Sequence, residues 1–423
     1  MDELLSGKVT IFAGAGISTE ARSVLKYNFY ESIAAETQHA RPSPSFPALM
    51  EEYCRQPNGR FKLLKKIKDR FDHIDSFPEL NRSATHFHRE LGTFFPIRNI
   101  ITTNWDTYFE QFCNATPFIS DPDLAFWEVA TRRVLKIHGS ITNLGSIVAT
   151  TSDYKKCQRH LNSDVIGGLL KTILATQTVI FIGYSFSDSD FSSIYNFVKK
   201  QMNLLHKQAY VITPFAEDCE KFKAAGLIPI QTDGTFFFSH VKAHAVAKGV
   251  MLDDEIYDAA SELLDIVLME HGLLHKAIKA IDYPEVIFAS SYQDGMMHAL
   301  ERAINLRGTG EYSHRCRITD VADAYLKLQK EKLHDGKYED VAYIEGYINA
   351  LTYLLTSKED RENVEIPVYF MFGIKSHIGS LIEFVAELKR TPIAHKAAHK
   401  RALRYLGSLS NPNSVEFHHP PWL

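Results

Sequence analysis

The chain is poor in cysteine, and none of its cysteines form a pair. The five, at positions 54, 113, 157, 219 and 316, are odd in number and scattered, and no Cys-x-x-Cys occurs. That excludes a disulfide framework and a zinc ribbon, and it suits a reducing cytosol, so a cytoplasmic location is expected. A signal-like N-terminus is missing, and no apolar run reaches the roughly 18 residues of a membrane span, so no membrane partner is expected. Net charge is small, with 47 basic residues against 51 acidic ones. That balance argues against broad adhesion to nucleic acid, which would enter only indirectly. No internal repeat is visible. What the chain does have is length and apolar content: 423 residues, 45% of them hydrophobic, suit two domains with sizeable cores.

The pattern divides near residue 245. Before it, short runs rich in Ile, Val and Phe (Val9–Ala13, Asn99–Thr103, Val134–Ile137, Val179–Ile182 and Ala209–Ile212) alternate with helical stretches such as Thr85–Leu91, Val165–Thr176 and Phe191–Met202. Strands alternating with helices predict an α/β fold with a doubly wound, mostly parallel, Rossmann-like sheet. Residues 38–82 interrupt the rhythm and read as an inserted helical lobe over the site, opened by Arg41-Pro42-Ser43-Pro44-Ser45-Phe46-Pro47. After residue 250 the apolar period becomes helical, beginning with Ile256, Ala259, Ala260, Leu263 and Leu264. Further helices are expected at 292–305, 318–332, 338–356, 376–390 and 394–406. Ile366–Phe372 reads as one strand-like exception, and the stretch from Ser410 to Leu423 as a tail.

Four polar signatures follow four of the apolar runs: Ala13-Gly14-Ala15-Gly16-Ile17-Ser18, Thr102-Thr103-Asn104-Trp105-Asp106, Lys136-Ile137-His138-Gly139 and Gly183-Tyr184-Ser185. Ligands of open α/β sheets bind outside the carboxyl ends of the strands, so these four point to one crevice. The first reads as strand, turn and helix start. Its small residues let the backbone approach a pyrophosphate, and Ser18 can donate to a ligand or cap the helix. A tight turn without a ligand is the other reading, because the third glycine of a dinucleotide fingerprint and the lysine of a P-loop are both missing. Asn104 offers a donor and an acceptor to a water or a ribose hydroxyl, or else caps a helix over Trp105–Phe112. Asp106 can orient a ribose or hold a neighbour. His138 suits general-base work near neutral pH, or is structural. Gly183 permits close backbone approach and Ser185 can bind phosphate or ribose. Asp188-Ser189-Asp190 reads as a helix start rather than a metal site. The pairs His86/His88, His240/His244 and His395/His399 are spaced like metal ligands, but no third ligand is identifiable for any of them, so no metal is expected.

Taken together these residues resemble the sirtuin family, which carries a Gly-Ala-Gly-x-Ser loop, an Asn-x-Asp element, a catalytic His-Gly and a late Gly-x-Ser in this order. The similarity covers about residues 8–215. Thr-Thr-Asn-x-Asp, Ile147-Val148-Ala149-Thr150 leading to Asp153-Tyr154, and Gly-Tyr-Ser-Phe-x-Asp are similar to bacterial sirtuin-like effectors that hydrolyse NAD in defence against phage. A helical C-terminal domain is similar to the member paired with a HerA-type hexameric ATPase. The resemblance implies that residues 1–245 bind NAD as a substrate and release nicotinamide and ADP-ribose. Asn104, His138 and Asp106 would be catalytic, and Ala13, Gly14, Ala15, Gly16, Ser18, Thr103, Gly183 and Ser185 would hold the dinucleotide. It implies that residues 246–423 serve homo-oligomerisation or partner binding, and that assembly or the partner gates the site. The two Cys-x-x-Cys pairs of protein-deacylating sirtuins are absent, with Cys157 alone in that interval, so no zinc is expected. Ala21–Tyr30 replaces the family's Pro-x-Phe-Arg segment, and Thr213 stands where sirtuins often place Asn. The competing readings are an NAD-dependent deacylase or ADP-ribosyltransferase, and a noncatalytic NAD- or ADP-ribose-binding scaffold.

Overall fold

The computed structural model describes residues 1–18, 20, 24–37, 44–184, 189–361, 363, 365–409 and 417–421. The chain divides into two compact units, Met1–Ala245 and Val246–Leu423.

In the first unit, seven strands are found among the described residues: β1 (Val9–Ala13), β2 (Asn99–Thr102), β3 (Thr116–Phe118), β4 (Arg133–Lys136), β5 (Thr178–Ile182), β6 (Ala209–Thr213) and β7 (Ile228–Gln231). They form one sheet in the order β3-β4-β2-β1-β5-β6-β7, and every neighbouring pair is parallel. The doubly wound α/β reading of the sequence holds. β1, β2 and β5 are buried along their whole length, as parallel strands covered on both faces must be. Register lines up Phe12 with Ile101 and Phe181, and these with Leu135 and Val211. That row packs against Leu161, Leu170, Ile173 and Val198 of the helices Thr151–Ser163, Val165–Thr176 and Ser189–Met202. Each large apolar side chain buried this way contributes about 1.5–3 kcal/mol.

The two edge strands, β3 and β7, are absent from the sequence reading. Each carries a proline, Pro117 and Pro229. Proline removes a ladder donor and is confined to edges, and the same substitution breaks the apolar run by which the central strands were read. Within residues 38–82 the two expected helices are Phe46–Cys54 and Gly59–Ser76, and the helix Phe29–Glu36 that precedes this stretch shares their core of Ile33, Leu49, Met50, Leu63 and Ile67. Residues 38–43, within which Arg41-Pro42-Ser43 falls, lie outside the described residues, as do Ala21, Arg22 and Ser23.

The helix expected at the first glycine motif is not there. β1 runs into a 3-10 turn, Ala15–Ile17, and the next helix among the described residues starts at Phe29. Nor does Asn104 cap a helix. The helix that follows it is Tyr108–Cys113, and it is Asp106 that accepts the Tyr108 amide hydrogen, at 3.2 Å.

The second unit is helical: Glu255–Ala277, Val286–Asn305, Arg315–His334, Tyr338–Leu355, Leu381–Arg390 and Lys396–Gly407 are its main helices. Val286–Asn305 and Tyr338–Leu355 cross at two glycines. A Cβ on Gly295 would lie 2.0 Å from the Tyr343 carbonyl oxygen, and one on Gly346 would lie 1.9 Å from that of Tyr292. Ile366–Phe372 is not a strand. Val368 and Tyr369 both donate to the Ile378 carbonyl, and Tyr292 and Gln293 side chains satisfy the carbonyls of Pro367 and Val368. The run is apolar because Val368, Tyr369 and Met371 are core, not because it pairs in a sheet. Of the tail, Phe417–Pro421 docks on this unit: the Phe417 carbonyl accepts from Ser290, and the His419 amide donates to Asp294.

Candidate active site

The ends of four strands lie level. Ala13 pairs with Thr102 on one side and Ile182 on the other, and Thr102 pairs with Lys136. The residues that come next therefore leave the sheet along one edge. The chain departs from β1 toward β2 and later crosses to β5 on the opposite flank, so β1 and β5 border the switch point where α/β sheets take their ligands. A cavity of about 610 Å³ opens there. Ala15, Gly16, Thr103, Asn104, Asp106, His138 and Gly183 all line it.

Asn104 is buried, and its orientation is fixed by its partners. Its Nδ2 donates to the Gly14 carbonyl at 3.3 Å and approaches Ser18 Oγ at 3.4 Å, while its backbone amide donates to Thr102 Oγ1 at 3.0 Å. A carbonyl only accepts, so Nδ2 faces Gly14 and Oδ1 faces away from it. That Oδ1 is buried with no hydrogen-bond partner among the described residues, and so is the indole Nε1 of neighbouring Trp105. Two orphaned polar atoms of opposite type beside one cavity are the local signature of a polar ligand.

Asp106 is held on three sides. Ser18 Oγ donates to its Oδ2 at 3.2 Å, Tyr108 N donates to its Oδ1, and the Lys136 ammonium donates to its carbonyl oxygen. Lys136 is fully buried and also pairs with Glu110 at 3.0 Å. Burial pushes the Glu110 carboxyl above its ordinary range against the pull of that ammonium. His138 is only 2% exposed, its ring lies 4.9 Å from the Tyr154 ring, and its carbonyl accepts from Val148. Tyr154 belongs to a helix capped by Thr150 and Asp153 in a reciprocal box, and Asp153 pairs with Arg60 of the lobe at 2.8 Å. Arg60 also donates to the Ile147 carbonyl, so the lobe is tied to the segment that follows His138.

Other expected binding residues take different parts. Gly14 and Gly183 serve loop packing: a Cβ on Gly14 would lie 2.4 Å from the Gly183 oxygen, and Gly183 has φ +63°. Gly14 N donates to Ile182 O and Gly16 N to Gly183 O, so the two loops are zipped backbone to backbone. Ala13 is buried, and its carbonyl accepts from Thr102 Oγ1. Ser18 spends its hydroxyl on Asp106. Ser185 and Asp188 lie outside the described residues. Several residues that line the cavity were missed, among them Glu20, Arg70 and Trp105. Arg70 pairs with Glu20 at 3.1 Å, and Trp105 lies edge-on to Phe29 and tilted against Phe46. Their only sequence signal was a place in the lobe for Arg70, after the glycine motif for Glu20 and next to Asn104 for Trp105. Among the described residues none of the three histidine pairs forms a ligand set. His88 is core, His395 caps its own helix, and His399 bonds to Glu285.

The chain is similar in sequence to known proteins. Residues 98–230 match the SIR2-like domain family. Defense-associated sirtuin 2 of Bacillus subtilis is 24% identical over 292 residues, covering 66% of this chain and 27% of that protein. Proteins named NAD(+) hydrolase ThsA are similar as well. The one from Cytobacillus dafuensis is 25% identical, covering 69% of this chain and 59% of that protein, and the one from Bacillus cereus is 26% identical, covering 50% and 44%. The chain thus spans between about a quarter and three fifths of the length of these relatives.

Proposed function

We propose that this chain, whose residues 98–230 match the SIR2-like domain family, hydrolyses NAD between nicotinamide and ribose. The observation that supports this most is the shared cavity of Asn104, Asp106 and His138, with the Asn104 oxygen left as an unused acceptor. Relatives named for NAD hydrolysis and for defence agree with it.

The chemistry asks little of the protein at the leaving group. Nicotinamide in NAD is cationic, takes the bonding pair as the C–N bond breaks, and departs neutral. No carboxylic acid is needed to protonate it, unlike an ordinary glycoside. What remains is to hold the ribose, support positive charge on it, and place a water. Asn104 Oδ1 accepts a hydrogen from that water or from a ribose hydroxyl. The water oxygen bonds to the anomeric carbon and its proton passes to His138. The Asp106 carboxylate, oriented by Ser18 and the Tyr108 amide, stabilises the cationic ribose. The Ala15 backbone, at the cavity wall beside the zipped loops, takes the pyrophosphate, and Trp105 with Phe29 and Phe46 offers an apolar wall to the pyridine ring. Nicotinamide, ADP-ribose and one proton leave.

The finer reading follows from the consequence of such an activity. Unrestrained loss of NAD kills a cell, so a defence effector of this kind is held off until needed. Homo-oligomerisation through residues 246–423, or a HerA-type hexameric ATPase, supplies that gate. The test is to incubate the purified chain with NAD and no acceptor protein, with and without such an ATPase, and to follow both products by chromatography. Equal amounts of nicotinamide and ADP-ribose are expected. NAD left intact in both arms, or consumed only with an acylated peptide, refutes the reading.

A further inference from the structure

We propose that His271, His275, His418 and Asp294 bind a divalent transition-metal ion of the zinc type, and that the ion pins the C-terminal segment to the helical unit. No metal was expected from the sequence; the cluster lies in the helical unit, whereas every residue lining the cavity lies in the other unit.

His271 and His275 stand one turn apart on Glu255–Ala277, where an i, i+4 spacing puts both rings on one face. His418 arrives from the docked C-terminal segment. His275 Nε2 lies 3.2 Å from His271 Nε2, and His418 Nδ1 lies 3.3 Å from the same atom. One ring nitrogen from each of the three falls within 4.8 Å of the others. A tetrahedral ion with metal–nitrogen bonds of about 2.0–2.1 Å sets its ligand atoms about 3.3 Å apart, so two edges already have the right length. Asp294 supplies the fourth side. Its Oδ1 is 3.5 Å from His418 Nδ1 and 3.9 Å from His271 Nε2, and it is buried.

The surroundings prepare His271 as a ligand. Its Nδ1 lies 3.0 Å from Gln293 Oε1. Gln293 is fixed in that orientation, because its Nε2 donates to the Val368 carbonyl at 3.2 Å. An amide oxygen only accepts, so the His271 proton sits on Nδ1 and Nε2 presents a lone pair to the cluster. Metal-bound histidines have this arrangement, with the second nitrogen anchored by an acceptor. Three imidazoles converging on one point beside a buried carboxylate suit zinc, copper or nickel better than calcium or magnesium.

The experiment uses the untagged full chain, stripped with a chelator and titrated with zinc chloride and, separately, with cobalt(II). One tight zinc per chain is expected, with the intense visible bands of tetrahedral cobalt. Zinc should also slow proteolysis after residue 409. His271→Gln should weaken zinc binding by at least about 100-fold, and Gln293→Ala by about 10- to 100-fold. His418 is 55% exposed, so His418→Ala keeps the fold and should still lose the tight site. Zinc affinity that is the same in the wild type and in a His271→Gln/His418→Ala double variant overturns the proposal, and so does an octahedral cobalt spectrum.

Discussion

Asn104 and His138 reach one cavity because the strands before them end level, whereas His271 and His418 meet because a C-terminal segment returns to a helix pair. The first arrangement is fixed by ladder register. β2 and β4 are hydrogen-bonded along four residues each, and a slip of one residue would move every side chain to the opposite face of the sheet and misalign the strand ends. The second rests on a few side-chain contacts, among them Ser290 to Phe417 and Asp294 to His419. A sheet edge can therefore carry chemistry that tolerates no misplacement, while a docked segment suits a group that is held or released.

The largest effect expected from breaking the sheet-edge arrangement comes from its two central groups. Asn104→Ala and His138→Ala should each cut NAD turnover by about 10³-fold or more, roughly 4 kcal/mol of transition-state stabilisation, with thermal midpoints within a few degrees of the wild type. Steady-state kinetics and a melt on the same samples check this. Turnover within tenfold of the wild type in either variant removes that residue from the chemistry.

The same contrast explains what the sequence could reveal. In the first unit each polar group stands directly after an apolar strand, so His138 after Val134–Ile137 and Asn104 after Asn99–Thr103 were conspicuous. The edge strands were hidden because Pro117 and Pro229 broke their runs. Arg70 was hidden because a helical lobe brings it to the cavity from a position with no local mark, and Glu20 because it follows the glycine motif without belonging to its pattern. In the second unit, His271 and His275 lie in the last two turns of a long helix, and the third ring comes from 143 positions later than His275. No window of sequence contains that set, whereas the pairs at 86/88 and 395/399 had the right look and the wrong neighbours.

A second prediction concerns a buried histidine of the first unit. His88 packs against the rings of Tyr108 and Phe109, and burial lowers its pKa from 6.5 to about 4. The folded state thus gives up a proton that the unfolded chain keeps. Its contribution to stability is complete above about pH 6.5 and is lost as pH falls toward 4, by at most about 3 kcal/mol. Denaturant melts at pH 7 and pH 5 should show the slope, and His88→Leu should flatten it. An unchanged slope in His88→Leu places the acid sensitivity elsewhere.

Next in size is Lys136, which positions the Asp106 loop from beneath without lining the cavity. Lys136→Met removes the donor to the Asp106 carbonyl and leaves Glu110 to be neutralised by protonation. The expected loss is about 10- to 100-fold in kcat, with KM for NAD little changed, since the residue acts through Asp106. A loss confined to KM would mean that Lys136 shapes the binding surface instead.

The smallest expected effect decides between two parts for Ser18. Its place in the glycine motif assigned it to phosphate, and the structure gives its hydroxyl to Asp106 at 3.2 Å. A hydrogen bond of that length to a carboxylate is worth about 1 kcal/mol net, so Ser18→Ala should cost roughly fivefold. Where the cost falls is the informative part. A donor to pyrophosphate binds ground state and transition state alike, and its loss raises KM while kcat stays put. A donor that aims Asp106 at a charge present only in the transition state lowers kcat and leaves KM alone. The structure predicts the second pattern. Because Tyr108 N still holds the other carboxylate oxygen, the loss should remain well short of that in Asn104→Ala.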